Sequence, residues 1–136
     1  MSTDGKDSTL LRFLEAGGNR SVVLEDNGRV AYAYLLVRDE PVADVWLYNV
    51  HEAPNAMGSG EDYPFLNPRA FCRDEAPHRF GQRSNVRCHW DAQGVTVSID
   101  GVVMARLERD ARPGWSRHAT QPGPLARPLS EVTRSG

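Results

Sequence analysis

The hydrophobic pattern changes period near residue 20. Over residues 8–16 the apolar positions fit a helix: Leu10, Leu11 and Leu14 share one side, Ser8 can cap the first N–H groups, and Gly17-Gly18 can end it. Nine residues do not hold a helix alone, so this one is expected to dock on a larger body. From Arg20 the period becomes two. Residues 21–25, 29–38 and 42–50 read as three strands, with Asn27-Gly28 and Asp39-Glu40 as the intervening turns. A second meander starts at Asn85. Val86, Cys88 and Trp90 alternate with polar neighbours, as do Val95, Val97 and Ile99, and Asp100-Gly101 is a hairpin signal before a last strand at 102–109.

These elements predict an all-β fold with one or two short helices: two three-stranded meanders packed as a six-stranded antiparallel sandwich or a flattened barrel. A two-residue loop at Asp39-Glu40 would set Ala33 opposite Trp46 and Ala31 opposite Tyr48 on one face. On the other face Tyr34 would meet Val45 and Tyr32 would meet Leu47. Both faces of the first meander are then apolar. One is expected to cover the second sheet and the other to lie under the 8–16 helix or the long loop. In the last strand a two-residue turn pairs Val97 with Met104, and one extra residue pairs it with Ala105; the facing stays open.

The domain is expected to span 1–110, with a long inserted loop at 51–84. Such a loop usually carries function or its own structure. Asn67, Pro68 and Pro77 bracket a possible two-turn helix at 69–76, anchored by Phe71. Beyond Ala111 the prolines and sparse apolar residues suggest a flexible tail at 111–136, in which Trp115 is the residue that could dock.

Composition narrows the class without naming an activity. Net charge is −2 and charged residues make up 25% of the chain, ordinary for a globular protein. No apolar run is long enough to span a membrane, and no basic-then-apolar leader opens the chain, so a cytoplasmic setting is expected. All but Lys6 of the 16 basic residues are arginine, a codon-level hint of a GC-rich bacterial genome. Nucleic acid is not expected as a partner. The first fifty residues hold more acids than bases, and the register places Tyr32 and Tyr34 on one face and Trp46 and Tyr48 on the other. Cys72 and Cys88 are expected to be reduced thiols.

Catalytic signatures are sparse. His51, Cys72, His78, Cys88 and His89 are too widely spaced for a zinc site, and adjacent Cys88 and His89 would point to opposite faces of a strand, so no metal and no cofactor are expected. His51-Glu52 opens like a zincin motif, but Asn55 and Pro54 break it. Gly58-Ser59-Gly60 lacks the spacing of a nucleophile elbow. Asp44 is the carboxylate best placed for acid–base work, because Val42 and Trp46 share its face; an edge charge that discourages aggregation is the simpler explanation of it.

The sequence therefore favours a binding domain over an enzyme. The expected partner is a protein or small ligand, met by the 51–84 loop and the adjoining strand end through Trp46, Tyr48, His51, Arg69, Arg73 and His78. The alternative is a small hydrolase-like enzyme using Asp44, His51 and His78 in a cleft under the same loop.

Overall fold

The structure, a computed structural model, describes residues 8–50, 72 and 79–130. Two sheets account for nearly all of it. The first is a four-stranded antiparallel meander of β1 (Thr9–Leu14), β2 (Arg20–Asp26), β3 (Val30–Val37) and β4 (Glu40–Asn49). The second runs in order through β5 (Val86–Trp90), β6 (Gly94–Ile99), β7 (Val102–Glu108), β8 (Ala111–Ser116) and β9 (Arg127–Pro128), with only the last pair parallel. The fold is all-β and sandwich-like, and the two sheets do not close into a barrel. Each expected meander has grown at one side: nine strands among the described residues replace the six read from the sequence.

The first added strand corrects the helix expected at 8–16. Residues 9–14 pair with β2 from Thr9↔Asp26 to Leu14↔Ser21. Leu11 and Phe13 turn toward the core, while Leu10, Arg12 and Leu14 face out. The same leucines fit either period. The strand satisfies the N–H and C=O groups along the edge of β2, which a docked helix would leave unpaired. Gly17, at positive φ, forms part of a hairpin loop instead of a helix stop. Arg20 closes that loop with a bidentate ion pair to Glu15, at 2.8 and 2.6 Å.

The second addition corrects the flexible tail. Residues 111–116 form β8 against β7, and Arg127–Pro128 adds β9. Trp115 docks: the Arg127 guanidinium lies 4.0 Å from its ring centroid and donates to the Pro113 carbonyl at 3.0 and 2.6 Å. The segment also joins the sheets. Gly114 lies so close to Arg106 and Val45 that a Cβ there would stand 2.6 Å from a carbonyl oxygen. The Trp46 backbone N–H donates to the Leu125 carbonyl at 3.0 Å. The helix expected at 69–76 lies outside the described residues except for Cys72, which forms an isolated bridge with Ala119.

The β3–β4 register differs from the expected one for a local reason. The turn is Arg38-Asp39, both at positive φ, one residue earlier than the Asp39-Glu40 loop. Two register shifts interrupt the pair, one between Leu35 and Leu36 and one between Ala31 and Tyr32. Ala31 does face Tyr48, but Ala33 faces Val45, Tyr34 faces Asp44 and Tyr32 faces Trp46. Each bulge adds an unpaired residue and exchanges the faces of the strand beyond it. Trp46 therefore shares a face with Tyr32 and Tyr34, not with Tyr48. Between β6 and β7 a shift at Val97/Ser98 pairs Val97 with Ala105.

The core is the space between the sheets. Val22, Leu24, Ala31, Ala33, Leu35, Ala43 and Val45 meet Val95, Val97, Ala105 and Leu107, all essentially inaccessible to water.

Candidate functional site

β2 carries two adjacent carboxylates with opposite fates. Val22, Leu24 and Asp26 point inward, so Glu25 between them points out. Asp26 is completely buried and fully engaged. The Arg79 guanidinium grips it with two hydrogen bonds of 2.8 Å, the Tyr48 hydroxyl donates to it at 2.6 Å, and the Gly28 N–H at 2.9 Å. Burial alone would raise its pKa; the Arg79, Tyr48 and Gly28 donors outweigh that and hold the carboxyl below its ordinary range. Burial, with the bond to Asp26 behind it, pushes the Tyr48 phenol far up, so it stays a donor. Tyr48 also accepts the Phe80 N–H at 3.2 Å. This cluster fixes the chain where it re-enters the fold after the long connection.

A second fixing point lies beside it. The Trp46 indole N–H donates to the Asn49 Oδ1 at 2.8 Å, and the Asn49 amide reaches the Cys72 Sγ at 3.7 Å. Trp46 and Tyr48 are thus both buried and hydrogen-bonded.

On the outer face of the same sheet, Glu25, Asn27, Val30, Tyr32, Tyr34 and Asp44 line a cleft of about 330 Å³. Tyr32 and Tyr34 are two residues apart on β3, so their rings project from the same face and stack at 6.1 Å with an 18° interplanar angle. Glu25 sits opposite Tyr32 from β2, and Asp44 sits opposite Tyr34 from β4, so a carboxylate stands on each side of the rings. The Tyr34 hydroxyl makes a long 3.5 Å contact to Glu25. Burial, with the Glu25 and Asp44 carboxylates behind it, raises the Tyr34 phenol; burial does the same to Tyr32. Both rings are neutral and electron-rich on their faces. Among the described residues neither Glu25 nor Asp44 has a cationic partner.

Of the residues singled out from sequence, Asp44 lines this cleft, whereas Trp46 and Tyr48 lie buried beside it. His51, Arg69, Arg73 and His78 lie outside the described residues. The sequence reading sets Tyr32 and Tyr34 on a covered apolar face and gives Glu25 no role. The expected register sets Asp44 on the face opposite the tyrosines, and the register shifts of the β3–β4 pair bring them together. Among the described residues no group of three His, Cys, Asp or Glu side chains is placed to hold a metal ion. Among the described residues neither cysteine is in a disulfide, and burial pushes the Cys88 thiol up to about 11. No helix among the described residues is long and apolar enough to cross a membrane. No family model matches the chain, and no curated protein or solved structure matches it either.

Proposed function

We propose that the protein is a binding domain whose outer-face cleft takes a cationic group, an arginine or lysine side chain of a partner protein. The observation that carries this reading is the pairing of two carboxylates, Glu25 and Asp44, with the stacked faces of Tyr32 and Tyr34, and with no cationic partner for either acid among the described residues. Aromatic faces attract cations through their quadrupoles, and flanking carboxylates add direct attraction. The volume falls within the usual range of about 300–1,000 Å³ for small-group pockets. Cys72 in the 51–84 connection is linked through Asn49 to Trp46, which stands opposite Tyr32, and this supports a role for the connection in the same interaction. A bacterial, cytoplasmic setting fits the arginine bias and two cysteines outside any disulfide among the described residues.

The test is a titration with short peptide amides carrying one arginine or one lysine, monitored by the ring signals of Tyr32 and Tyr34 in NMR. Saturable shifts that weaken with salt and vanish in the double variant Glu25→Gln, Asp44→Asn are expected. Equal shifts from a glutamate-bearing peptide, or shifts that survive the double variant, overturn the reading.

A further inference from the structure

A cleft of the opposite character opens at the far end of the sandwich. Its volume is about 720 Å³, and both sheets wall it: Leu35, Val37, Arg38 and Val42 from the first, Gln93 and Arg109 from the second. It lies where the β1–β2, β3–β4, β5–β6 and β7–β8 turns gather. Leu35, Val37 and Val42 form an apolar wall that continues the core toward solvent.

Three arginines line it, and they differ in occupation. Arg20 is committed: it holds Glu15 and lies over the Trp90 ring at 5.0 Å. Arg38 and Arg109 each stand at a hairpin tip, one per sheet, and neither has an ion-pair partner among the described residues. Glu40 is the one acid among the described residues of the wall.

Arg38 also occupies a position that does not suit it. It has φ 54° in a two-residue turn, where Asn or Gly relieves the clash that a longer side chain meets. Asp39 beside it bears the same conformation, but its carboxylate is used by Arg12. Among the described residues none uses the Arg38 guanidinium. A backbone outlier kept in a turn, with an unused charge on a cleft wall, points to a ligand.

We propose that this cleft binds a small amphipathic oxyanion, its apolar body against Leu35, Val37 and Val42 and its charged oxygens between the Arg38 and Arg109 guanidiniums. The planar guanidinium fork matches two oxygens of one head group, which carboxylate and phosphate ester share. The site is separate from the acidic cleft and stands whether or not that cleft binds cations.

The full chain is titrated by calorimetry with octanoate, octyl phosphate, inorganic phosphate and octylamine. Saturable one-site binding of either octyl anion is expected, and the tighter of the two identifies the head group. Inorganic phosphate is expected to bind at least about tenfold more weakly and octylamine not at all. Arg38→Gly is the decisive variant: it should raise the melting temperature, because the turn strain is relieved, while weakening binding at least about tenfold. Arg109→Gln should weaken binding comparably with the melting temperature unchanged, and Arg87→Gln, on β5 outside the cleft, should change neither. Absence of saturable binding, or unchanged affinity in both Arg38→Gly and Arg109→Gln, overturns the proposal. Equal affinity for inorganic phosphate and octyl phosphate overturns the role of the apolar wall.

Discussion

Glu25 and Asp26 are chain neighbours, yet they belong to two different kinds of site. Asp26 faces inward and meets Arg79, Tyr48 and Gly28 in a buried cluster in which each donor is matched to a carboxylate oxygen. Glu25 faces outward into a cleft with aromatic walls and, among the described residues, no cationic side chain. The contrast separates the two uses of a carboxylate. A carboxylate with all its partners inside the fold holds the chain together and has nothing left to offer a ligand. One that lacks a counter-ion contributes little to stability and keeps its charge for something else.

That comparison is most severely tested from the arginine side. Arg79→Ala would leave Asp26 charged, buried and without its counter-ion, and is expected to cost about 3–5 kcal/mol in urea unfolding. Asp26→Ala should cost less, because Arg79 is 37% exposed and can turn to water. If the two variants are equally damaging, the cluster is not held by the burial of the acid. Next in size, Tyr48→Phe removes the donor to Asp26 and the acceptor of the Phe80 N–H, an expected loss of about 1–3 kcal/mol.

The pH dependence gives a sharper signature. Asp26 is held below its unfolded value, so its contribution is complete above that value and disappears as the pH falls through the folded one, mainly below about pH 4. Asp91, held down by Arg106, acts in the same direction. The acid limb of stability against pH should therefore flatten in Asp26→Ala. In Arg79→Ala the acid limb should flatten as well, because only the Tyr48 and Gly28 donors are left to oppose burial and the carboxyl is held down less. An unchanged acid limb in both variants would remove Asp26 from the account. The smallest effect belongs to the other carboxylates. Glu25→Gln and Asp44→Asn should each change stability by no more than about 0.5 kcal/mol. A loss of about 2 kcal/mol or more would mean that they too are structural.

Much of this arrangement could be read along the chain. The alternation in β5 and β6, the Asp100-Gly101 turn and the apolar strands of the first meander are local signals, and local hydrogen bonding realises them. The features that escaped depend on tertiary context. Leu10, Leu11, Phe13 and Leu14 suit a helix or a strand, and the free edge of β2 decided between them. Residues 111–128 look too polar to fold alone, but Gly114, Trp115 and Ala126 acquire their burial from the body they dock on. The face of Trp46 turned on a bulge that no composition rule marks. Arg79 and Asp26 lie 53 positions apart, so their pairing leaves no periodic trace, and the outer cleft depends on register shifts that put Asp44 beside the tyrosines.

The order of the strands has a kinetic side. In both sheets every strand pairs with its neighbour in the chain, from β1 to β4 and again from β5 to β9. Each antiparallel ladder can therefore close over a short loop, at little entropic cost and on the microsecond scale of hairpins. Apart from the anchors at Cys72 and Arg79, distant parts of the chain meet in the docking of one finished sheet on the other, across residues 50–85. Because closure entropy grows with the logarithm of loop length, doubling that connection would cost only about 0.6 kcal/mol. The topology thus frees the longest connection to vary in length and sequence with little effect on how fast the two sheets find each other.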